Sequence, residues 1–381
     1  MRIAIFDYKV IPNNPIGGCH RRMLEALCQM HEFTVFAVQF DNPNPDRIRW
    51  VRIPAPTRPL ALLYLVYHVL APLYYLVHRW RSGERFDLIQ VVESNLSFGD
   101  VAYAHFCHRA FLERYWKQVG ARGTRGWLRW LDHRLHGLVE PWLFKRVRSI
   151  VVPSEGLARE LRETYPGAAR KIHVLPNAVD TVRMRRPAEI DTAAFRHEWG
   201  FTAEDRVLLF GALGHFERKG LPLLLDAMKR LGDARLKLLV VGGEPDLVAS
   251  YERRAANHGL ARSVRFAGAQ NDVRPFLWAA DCFVLPSLYE TFSLVTAEAA
   301  AAGCPVIVTR LHGVEEFVSD PSTGFVIERS VAGVLEGLRR FLALTPDECA
   351  RMGTRAATDV SRYSIENFRS AWQLFYTETP C

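Results

Sequence analysis

The stretch CFVLPSLYETFSLVTAEAAAAGCPVIVT, residues 282–309, contains two apolar runs separated by a polar loop and an alanine-rich segment. The runs at 282–287 and 305–309 have the length and composition of buried strands, and the alanine-rich segment predicts a helix that begins near Phe292. Gly303 follows the last alanine, where glycine commonly ends a helix. A strand, a helix and a second strand in this order form a βαβ unit, whose strands lie parallel in one sheet.

Similar apolar runs alternate with helical patterns along most of the chain, which predicts an α/β fold with parallel sheets. The first series of predicted strands comprises residues 2–6, 33–38, 87–92, 101–105, 149–153 and 171–175. The second series comprises residues 207–211, 236–243, 264–268, 282–287, 305–309 and 324–327. The polar stretch 181–204 between them contains no predicted strand and is interpreted as an interdomain linker. Because 381 residues exceed the size at which one core stops growing, we expect two Rossmann-like domains.

Positive charge is concentrated in the first half of the chain. Residues 1–190 contain 28 Lys and Arg against 17 Asp and Glu, a net charge of +11, and residues 191–381 contain 21 against 24, a net charge of −3. An electropositive half attracts anionic partners such as acidic lipid headgroups, lipid-linked phosphates or nucleic acid. The alternative is a basic face that is only solvated.

Seven cysteines are scattered along the chain without a CxxC pair, which fits neither a disulfide framework nor a zinc site. We expect buried thiols at these positions. They are Cys19, Cys28, Cys107, Cys282, Cys304, Cys349 and Cys381. The sequence opens with a strand-like run and no apolar leader, so we predict a cytoplasmic protein.

Two segments depart from the α/β rhythm. Residues 60–77 form an uncharged apolar run, interrupted only by His68 and Pro72, that is near the shortest length able to cross a bilayer. Because this run lies between two strands of one predicted sheet, we expect either a buried helix or a helix on a membrane surface, and no span. Residues 109–148 carry ten Lys or Arg among four tryptophans, which is typical of the headgroup region of an anionic membrane or of a solvated basic face.

The loop and helix start within 282–309 form the first candidate site. Glu290 lies in the loop, and Ser293, Leu294 and Val295 supply first-turn amides without partners inside the helix. Such amides, at the positive end of the helix dipole, bind anions. Glu298 lies inside the helix, where a carboxylate can bind vicinal hydroxyls such as those of ribose.

A second strand end carries two cations. In GALGHFERKG, residues 211–220, Arg218 and Lys219 follow the strand 207–211. Because the carboxyl ends of parallel strands share one edge of the sheet, we expect both cations to lie near the Glu290 loop. They could neutralise the charge that develops on a departing diphosphate. The alternative is a pair of solvated residues near a helix start, where positive charge is unfavourable.

A glycine pair follows the first strand. Gly17 and Gly18 in NNPIGGCHRR, residues 13–22, predict either a close approach of backbone amides to phosphate or a plain tight turn. The segment lacks the GxGxxG spacing of dinucleotide-binding proteins, which disfavours a nicotinamide site.

His105 ends the strand 101–105, where it can face a cleft and contact a reacting sugar or acceptor, or have a structural role. Asn177 and Asp180 are interpreted as turn residues without chemistry.

Together these motifs resemble the family 4 glycosyltransferases, which have the GT-B fold of two Rossmann-like domains facing a central cleft. The motifs in question are the Gly17-Gly18 loop, His105, the PNAVD turn at 176–180, the run Arg218-Lys219-Gly220 and the pair Glu290 and Glu298. The segment from Ser364 to Thr377 resembles the closing helix that returns to the first domain, so we expect one domain at 1–185 with 364–381 and another at 186–363. Leu213 stands where many members have arginine, and Ser293 where glycine is usual.

The resemblance implies a donor site for a UDP-, GDP- or ADP-linked sugar. Lys219 and Arg218 would bind the diphosphate, Glu290 would lie near the transferred sugar and Glu298 would hold the ribose. The amides of Ser293, Leu294 and Val295 would bind phosphate, and Phe292, Gly17 and Gly18 would complete the donor site. His105, Arg218, Lys219 and Glu290 are the residues expected to act in catalysis.

The resemblance also implies transfer with retention of anomeric configuration and without a metal or other cofactor, in agreement with the lack of an Asp-x-Asp motif. We expect a lipid-linked or cell-surface glycan acceptor bound by the basic first domain at the inner membrane face, and no nucleic acid partner. One alternative is a sugar-nucleotide epimerase of similar architecture, which needs no acceptor. Another is a membrane-docked scaffold that has lost activity.

Overall fold

The computed structural model describes residues 1–119 and 123–379, which divide into two compact units. The first contains Met1–Ala178 and the C-terminal segment from Ile365, and the second contains Val179–Ser364. The boundaries predicted from the sequence lie after residue 185, which is seven residues later, and after residue 363, which is one residue earlier. Cys381 lies outside the described residues.

Nine strands and six helices form the main part of the first unit. They are β1 (Arg2–Phe6), β2 (Lys9–Val10), α1 (Pro15–Leu27), β3 (Glu32–Ala37), β4 (Gln39–Phe40), β5 (Ile48–Arg52), α2 (Leu60–Ser82), β6 (Leu88–Val92), β7 (Val101–Tyr103), α3 (His108–Arg114), α4 (Trp116–Val119), α5 (Gly123–Arg146), β8 (Ser149–Val152), α6 (Glu155–Thr164), a 3₁₀ helix (Pro166–Lys171) and β9 (Ile172–Val174). Seven strands form one parallel sheet in the order β5-β3-β1-β6-β7-β8-β9, and β2 and β4 pair separately.

Helices cover both faces of this sheet, which leaves its central strands without a solvated side. Along β1, Ala4 and Phe6 pack into the core on one face, and Ile3 and Ile5 pack into the core on the other. Successive strand residues point to opposite faces, so a strand buried on both faces is apolar throughout. The apolar run RIAIF predicted β1 for this reason.

The second unit contains six strands and nine helices. They are α7 (Thr181–Met184), α8 (Thr192–Glu198), β10 (Arg206–Gly211), α9 (Phe216–Lys219), α10 (Leu221–Leu231), β11 (Leu236–Val241), α11 (Pro245–Asn257), β12 (Val264–Gly268), α12 (Arg274–Ala279), β13 (Cys282–Leu285), α13 (Leu294–Ala301), β14 (Val306–Thr309), a 3₁₀ helix (Val314–Glu316), β15 (Gly324–Ile327), α14 (Val331–Leu342), α15 (Pro346–Val360) and a further 3₁₀ helix (Ser361–Tyr363). The strands form one parallel sheet in the order β12-β11-β10-β13-β14-β15.

The last helix, α16 (Ile365–Glu378), packs in the first unit although it follows the second in the chain. Its buried side chains, among them Trp372, join the same core as β1 and α1. The Tyr376 hydroxyl donates a hydrogen bond of 2.8 Å to the Gln90 side-chain oxygen on β6. The helix that the resemblance identified as returning to the first domain is therefore attached to it through both packing and a buried hydrogen bond.

All twelve predicted strands are present, and three short or exposed strands were missed. In β5 (Ile48–Arg52) most side chains are at least partly exposed because the strand lies at the edge of its sheet, so it lacks an apolar run. The stretch 181–204 is strandless, as predicted, but it contains α7 and α8 and belongs to the second unit.

Two burial predictions need correction. The apolar run at 60–77 forms α2, and only 33% of the most apolar part of this helix is buried. Of the two expectations for this run, the buried core helix was therefore wrong. By length and composition α2 is the one helix of the described residues that could cross a membrane. Five cysteines are buried as expected, but Cys349 is only partly buried.

Candidate active site

The strand order of the second unit places two loops side by side. The chain runs outward from β10 to β11 and β12 and then returns to β13 on the other side of β10. In open parallel sheets, ligands bind beyond the carboxyl ends of the strands at the point where this order reverses. The segments after β10 and β13 meet at that point. Lys219 is the last residue of α9, which follows β10, and Glu290 lies in the loop after β13.

Backbone contacts fix the two loops against each other. The Leu288 amide donates a hydrogen bond of 2.9 Å to the Arg218 carbonyl oxygen, and the Arg218 guanidinium donates in return to the Tyr289 carbonyl oxygen. Gly220 has a positive φ of 87°, and a Cβ there would lie 2.1 Å from the Pro286 carbonyl oxygen. Only glycine therefore allows α9 to approach the β13 loop this closely.

Lys219 and Glu290 form a hydrogen-bonded ion pair in the centre of this arrangement. The distance from Lys219 Nζ to Glu290 Oε1 is 2.5 Å, and Arg218 Nη1 lies 3.6 Å from the same oxygen. The Ser287 hydroxyl donates a third contact to this oxygen at 2.7 Å. Two cations share one carboxylate, so the cluster carries one excess positive charge.

Burial and charge act in opposite directions on this cluster. Burial alone would raise the pKa of Glu290, but Lys219 and Arg218 hold that pKa below its ordinary value. Burial lowers the pKa of Lys219, although Glu290 opposes the shift. The side chains of Lys219 and Glu290 are only 15% and 11% exposed, so each depends on the other for its charge.

The start of α13 lies beside the cluster and has no side-chain cap. The helix begins at Leu294, two residues later than predicted, and Ser293 is its N-cap. Ser293 uses its hydroxyl to contact the Thr296 hydroxyl at 2.7 Å, which leaves the first-turn amides uncapped. At Gly211, the end of β10, an added Cβ would lie 3.2 Å from a Val295 methyl, which places this helix start at the same sheet edge.

Ser293 occupies a left-handed backbone position, with φ 55° and ψ 67°. Glycine adopts this conformation without strain, whereas a residue with a Cβ is strained there. Ser293, which stands where glycine is usual in family 4, therefore occupies a conformation that glycine would adopt with less strain.

Two other residues of the predicted donor site lie close by in the chain. Glu298 is half-buried one turn after Leu294 and on the same face of α13. Phe292 is 1% exposed and packs edge-to-face on Tyr363, so its side chain belongs to the core and only its backbone can face a ligand. Leu213, at the position where many family members have arginine, is 63% exposed.

Sequence reasoning missed two polar contributors to this edge of the sheet. Ser287 follows β13 and holds Glu290, and its position directly after a buried strand was the available signal. Arg329 follows β15, and burial lowers the pKa of its half-buried guanidinium. The Arg329 guanidinium donates a hydrogen bond of 3.3 Å to the Glu217 carbonyl oxygen on α9, so this residue after a third strand contacts the helix that carries Arg218 and Lys219.

The remaining predicted residues belong to the first unit. His105 follows β7 and is buried, and burial lowers its pKa to about 3, so it is neutral near pH 7. Within the described residues its Nε2 has no hydrogen-bond partner. Buried polar atoms are normally paired, so this orphan atom fits a group that meets water or a ligand.

The glycine pair forms neither the phosphate-binding loop nor the tight turn that the sequence suggested. Gly17 and Gly18 lie inside α1, which begins at Pro15, and their amides already bond the Asn14 side chain at 2.8 Å and the Asn14 carbonyl oxygen at 2.7 Å. A Cβ on Gly17 would lie 1.7 Å from the Lys9 carbonyl oxygen. This glycine is therefore required for the close packing of α1 on the segment after β1.

A buried polar network that joins Asp7, directly after β1, to Gln90 in the middle of β6 was also missed. His20 Nδ1 lies 3.0 Å from Asp7 Oδ2, and His20 Nε2 lies 2.9 Å from the Gln90 side-chain nitrogen. With Nδ1–H donated to Asp7, Nε2 accepts from Gln90, and Gln90 in turn accepts from Tyr376. No local motif links these positions, because they lie far apart in the chain.

Glu93, His108 and His136 form a second buried cluster, with ligand atoms within 4.8 Å of one another. His108 Nε2 lies 3.2 Å from Glu93 Oε2, and the imidazoles of His108 and His136 stack 11° from parallel at 4.2 Å. Imidazole nitrogens bind a metal in the plane of the ring, and stacked rings have planes that do not meet. The described cluster is therefore arranged as a hydrogen-bonded stack and not as a metal centre.

The two Rossmann-like units with their parallel sheets have the GT-B fold. The chain matches a family model described as "Glycosyltransferase Family 4" over residues 20–183 and one described as "Glycosyl transferases group 1" over residues 204–343. The chain belongs to the family 4 glycosyltransferases.

Individual relatives agree with this assignment. The lipopolysaccharide core biosynthesis glycosyltransferase LpsE of Rhizobium meliloti is 34% identical over 244 residues, which are 62% of this chain and 66% of that protein. The alignments span 58–66% of the length of the first five curated relatives.

Two solved structures show the same fold at low identity. The crystal structure of WaaG, a glycosyltransferase involved in lipopolysaccharide biosynthesis, has a TM-score of 0.79 at 19% identity and covers 99% of this chain and 100% of its own. The Anabaena protein HepE in complex with UDP-glucose has a TM-score of 0.75 at 17% identity, covering 99% of both chains.

Proposed function

We propose that the protein transfers a sugar from a nucleoside diphosphate sugar to a lipid-linked or cell-surface glycan acceptor at the cytoplasmic face of the membrane. The observation that carries the proposal is the cluster of Lys219, Arg218 and Glu290 beside the uncapped start of α13. An excess cation and free amides at a helix N-terminus are complementary to a diphosphate. The Anabaena relative has been solved with UDP and UDP-glucose, which supports a nucleotide-linked donor.

In this proposal each group has one task. Lys219 and Arg218 bind the diphosphate, and the amides of Ser293–Val295 bind its oxygens. Glu290, fixed by Lys219 and Ser287, is placed to bind hydroxyls of the transferred sugar. Glu298 would hold the ribose, and neutral His105 of the first unit would contact the reacting sugar or the acceptor, which we place in that basic unit.

We propose retention by a same-face mechanism. The bond between the anomeric carbon and the diphosphate oxygen breaks with its electron pair on the diphosphate. The acceptor hydroxyl oxygen forms the new bond on the same face, and its proton passes to the departing oxygen. Lys219 and Arg218 stabilise the charge on the leaving group, so this scheme requires no divalent metal.

A thermal-shift panel of UDP-, GDP- and ADP-linked sugars tests the donor site. A ligand at about 100 times its dissociation constant stabilises the folded state by about 2.7 kcal/mol, which corresponds to about 5–10 °C for a unit of this size. We expect one nucleotide class to give this shift and Lys219→Met to abolish it. Lys229→Met, at an exposed position on α10, should keep it. Folded protein that responds to no sugar nucleotide would refute the donor site.

Product analysis separates the alternatives. Incubation with the donor alone leaves the sugar unchanged in a transferase, whereas an epimerase converts it. With an acceptor, the anomeric configuration of the product, read by NMR, tests retention, and activity that persists in excess EDTA tests metal independence. Glu290→Ala without effect on glycan output would support an inactive scaffold.

A further inference from the structure

One face of α2 is apolar, exposed and continuous. Its side chains recur at intervals of three and four residues, which places them on one side of the helix. They are Leu62, Leu65, Val69, Leu73, Leu76 and Trp80, each between 45% and 83% exposed. At 1.5 Å per residue the row is about 27 Å long. Soluble monomers rarely expose an apolar surface of this extent unless it binds a partner.

The opposite face of α2 is buried in the first unit. Leu63, Tyr67 and Ala71 are each 0% exposed, and the Tyr67 hydroxyl donates a hydrogen bond of 2.6 Å to the Phe36 carbonyl oxygen on β3. The strands β5 and β6 on either side of α2 in the sequence belong to one sheet. The helix therefore cannot cross a bilayer without dismantling this sheet, although its length and composition would suffice.

The charged side chains of α2 itself have one sign. The segment Leu60–Ser82 contains no Asp or Glu, and Arg79 and Arg81 lie in its last turn. The neighbouring helix α5, contacted by the Tyr64 hydroxyl at the Leu135 carbonyl oxygen, also presents exposed apolar side chains. These are Trp127, Trp130, Leu138 and Trp142.

The acidic side chains of α5 are turned inward. The Asp132 side chain is 13% exposed, and Glu140 is 1% exposed. Glu140 accepts hydrogen bonds from the His108 amide and the Tyr165 hydroxyl. Exposed tryptophan and arginine without exposed acid match the apolar boundary and the headgroup charge of an anionic bilayer.

We propose that the apolar face of α2 docks on an anionic bilayer with the helix axis in the membrane plane. A second copy of the chain fits this face less well. If two α2 faces packed together in parallel, Arg79 and Arg81 would meet their own copies, and an antiparallel packing would bring them towards Arg58, which precedes the helix. The proposal concerns the membrane contact alone and does not depend on the donor chemistry.

Vesicle flotation of the full chain tests the proposal. On vesicles of phosphatidylcholine with about 30% phosphatidylglycerol we expect binding that weakens at high salt and on pure phosphatidylcholine. Leu65→Gln/Leu73→Gln/Leu76→Gln should lower the partition coefficient at least about 30-fold. Arg79→Gln/Arg81→Gln should lower it roughly 30-fold on the anionic vesicles and leave binding to phosphatidylcholine unchanged.

A matched pair of single substitutions controls for a general loss of hydrophobicity. Leu76 on α2 and Leu374 on α16 are both 57% exposed helical leucines. Leu76→Gln should weaken vesicle binding about fivefold, and Leu374→Gln should leave it unchanged. Because all the substituted side chains are exposed, circular dichroism and the melting temperature should match those of the parent chain.

Three outcomes would overturn the proposal. The parent chain fails to bind anionic vesicles, the triple variant binds them as tightly as the parent, or the parent forms a dimer in solution that the triple variant abolishes while vesicle binding persists. The triple variant should retain the thermal shift with the sugar nucleotide, so failure of membrane docking is distinguishable from failure of the donor site.

Discussion

Replacement of Glu290 by Gln tests the charged cluster most directly. The exchange preserves the shape of the side chain but removes the carboxylate that faces Lys219 at 2.5 Å and Arg218 at 3.6 Å. These cations are 15% and 20% exposed, so solvent can replace only part of the lost attraction. Removal of one partner from a buried ion pair typically costs about 3–5 kcal/mol. Because some exposure remains, we expect the free energy of unfolding of the second unit to fall by about 3 kcal/mol.

The pH dependence of this loss identifies its cause. The folded-state pKa of Glu290 is held below its ordinary value by Lys219 and Arg218 against the effect of burial. The stabilisation by the carboxylate is therefore fully present above the unfolded-state pKa, about 4.3, and is lost as the pH falls through the folded-state value. The difference between the parent and Glu290→Gln should be constant from about pH 7 to about pH 5.5 and shrink below about pH 4.

Urea unfolding followed by circular dichroism at several pH values measures both effects. Glu25→Gln provides the control, because Glu25 is 60% exposed and pairs with Arg21 on the surface at 3.1 Å. That variant should differ from the parent by less than about 0.5 kcal/mol. A loss below about 1 kcal/mol for Glu290→Gln, or one that does not change with pH, would refute the electrostatic account.

Three further variants test separate parts of the molecule by urea unfolding. Gly220→Ala should lower the free energy of unfolding by more than about 3 kcal/mol, because the new methyl meets the Pro286 carbonyl oxygen. Gly232→Ala has a similar positive φ but open space around the methyl, so it should lower that free energy by only about 1 kcal/mol. Equal losses for the two variants would contradict the packing argument. Burial raises the pKa of Asp132 to about 6, so the parent should lose stability as the pH rises from about 4 to about 7. Asp132→Asn should lack this loss and be about 2 kcal/mol more stable than the parent near pH 7. If the stability of the variant changed with pH as that of the parent does, the burial argument would be contradicted. Trp372→Ala empties a site with 0% exposure and should destabilise the first unit by about 3–5 kcal/mol, and a loss of less than 1 kcal/mol would show that α16 is not needed there.

The sequence predicted the fold well because parallel strands buried on both faces are apolar throughout. Each predicted strand coincides with an observed one, whereas β5, with its charged and exposed residues, gave no such run. The apolar content of α2 did not reveal which of its faces is buried. That distinction depends on the sheet beneath the helix, which the periodicity of a nearly all-apolar segment cannot show.

Within the site, the rule that strand ends share one edge predicted the proximity of Lys219 and Glu290. The same rule could not rank the many polar residues near strand ends, so Ser287 and Arg329 were missed. The boundary of α13 was less predictable still, because it depends on the left-handed conformation of Ser293.

Under the proposed function, the ion pair between Lys219 and Glu290 affects how the donor binds. Glu290 is the carboxylate that neutralises Lys219, and its Oε1 lies 3.6 Å from Arg218 Nη1 as well. At the proposed donor site an incoming diphosphate would compete with Glu290 for the same two cations, and part of its binding energy would be used to release them. Glu290→Gln removes this competitor, so the variant should bind UDP or another nucleoside diphosphate at least as tightly as the parent while transferring sugar more slowly, because the group proposed to hold the sugar is altered. A cluster that served only to stabilise the fold would show no such opposition, because ligand affinity and transfer would then fall together with stability.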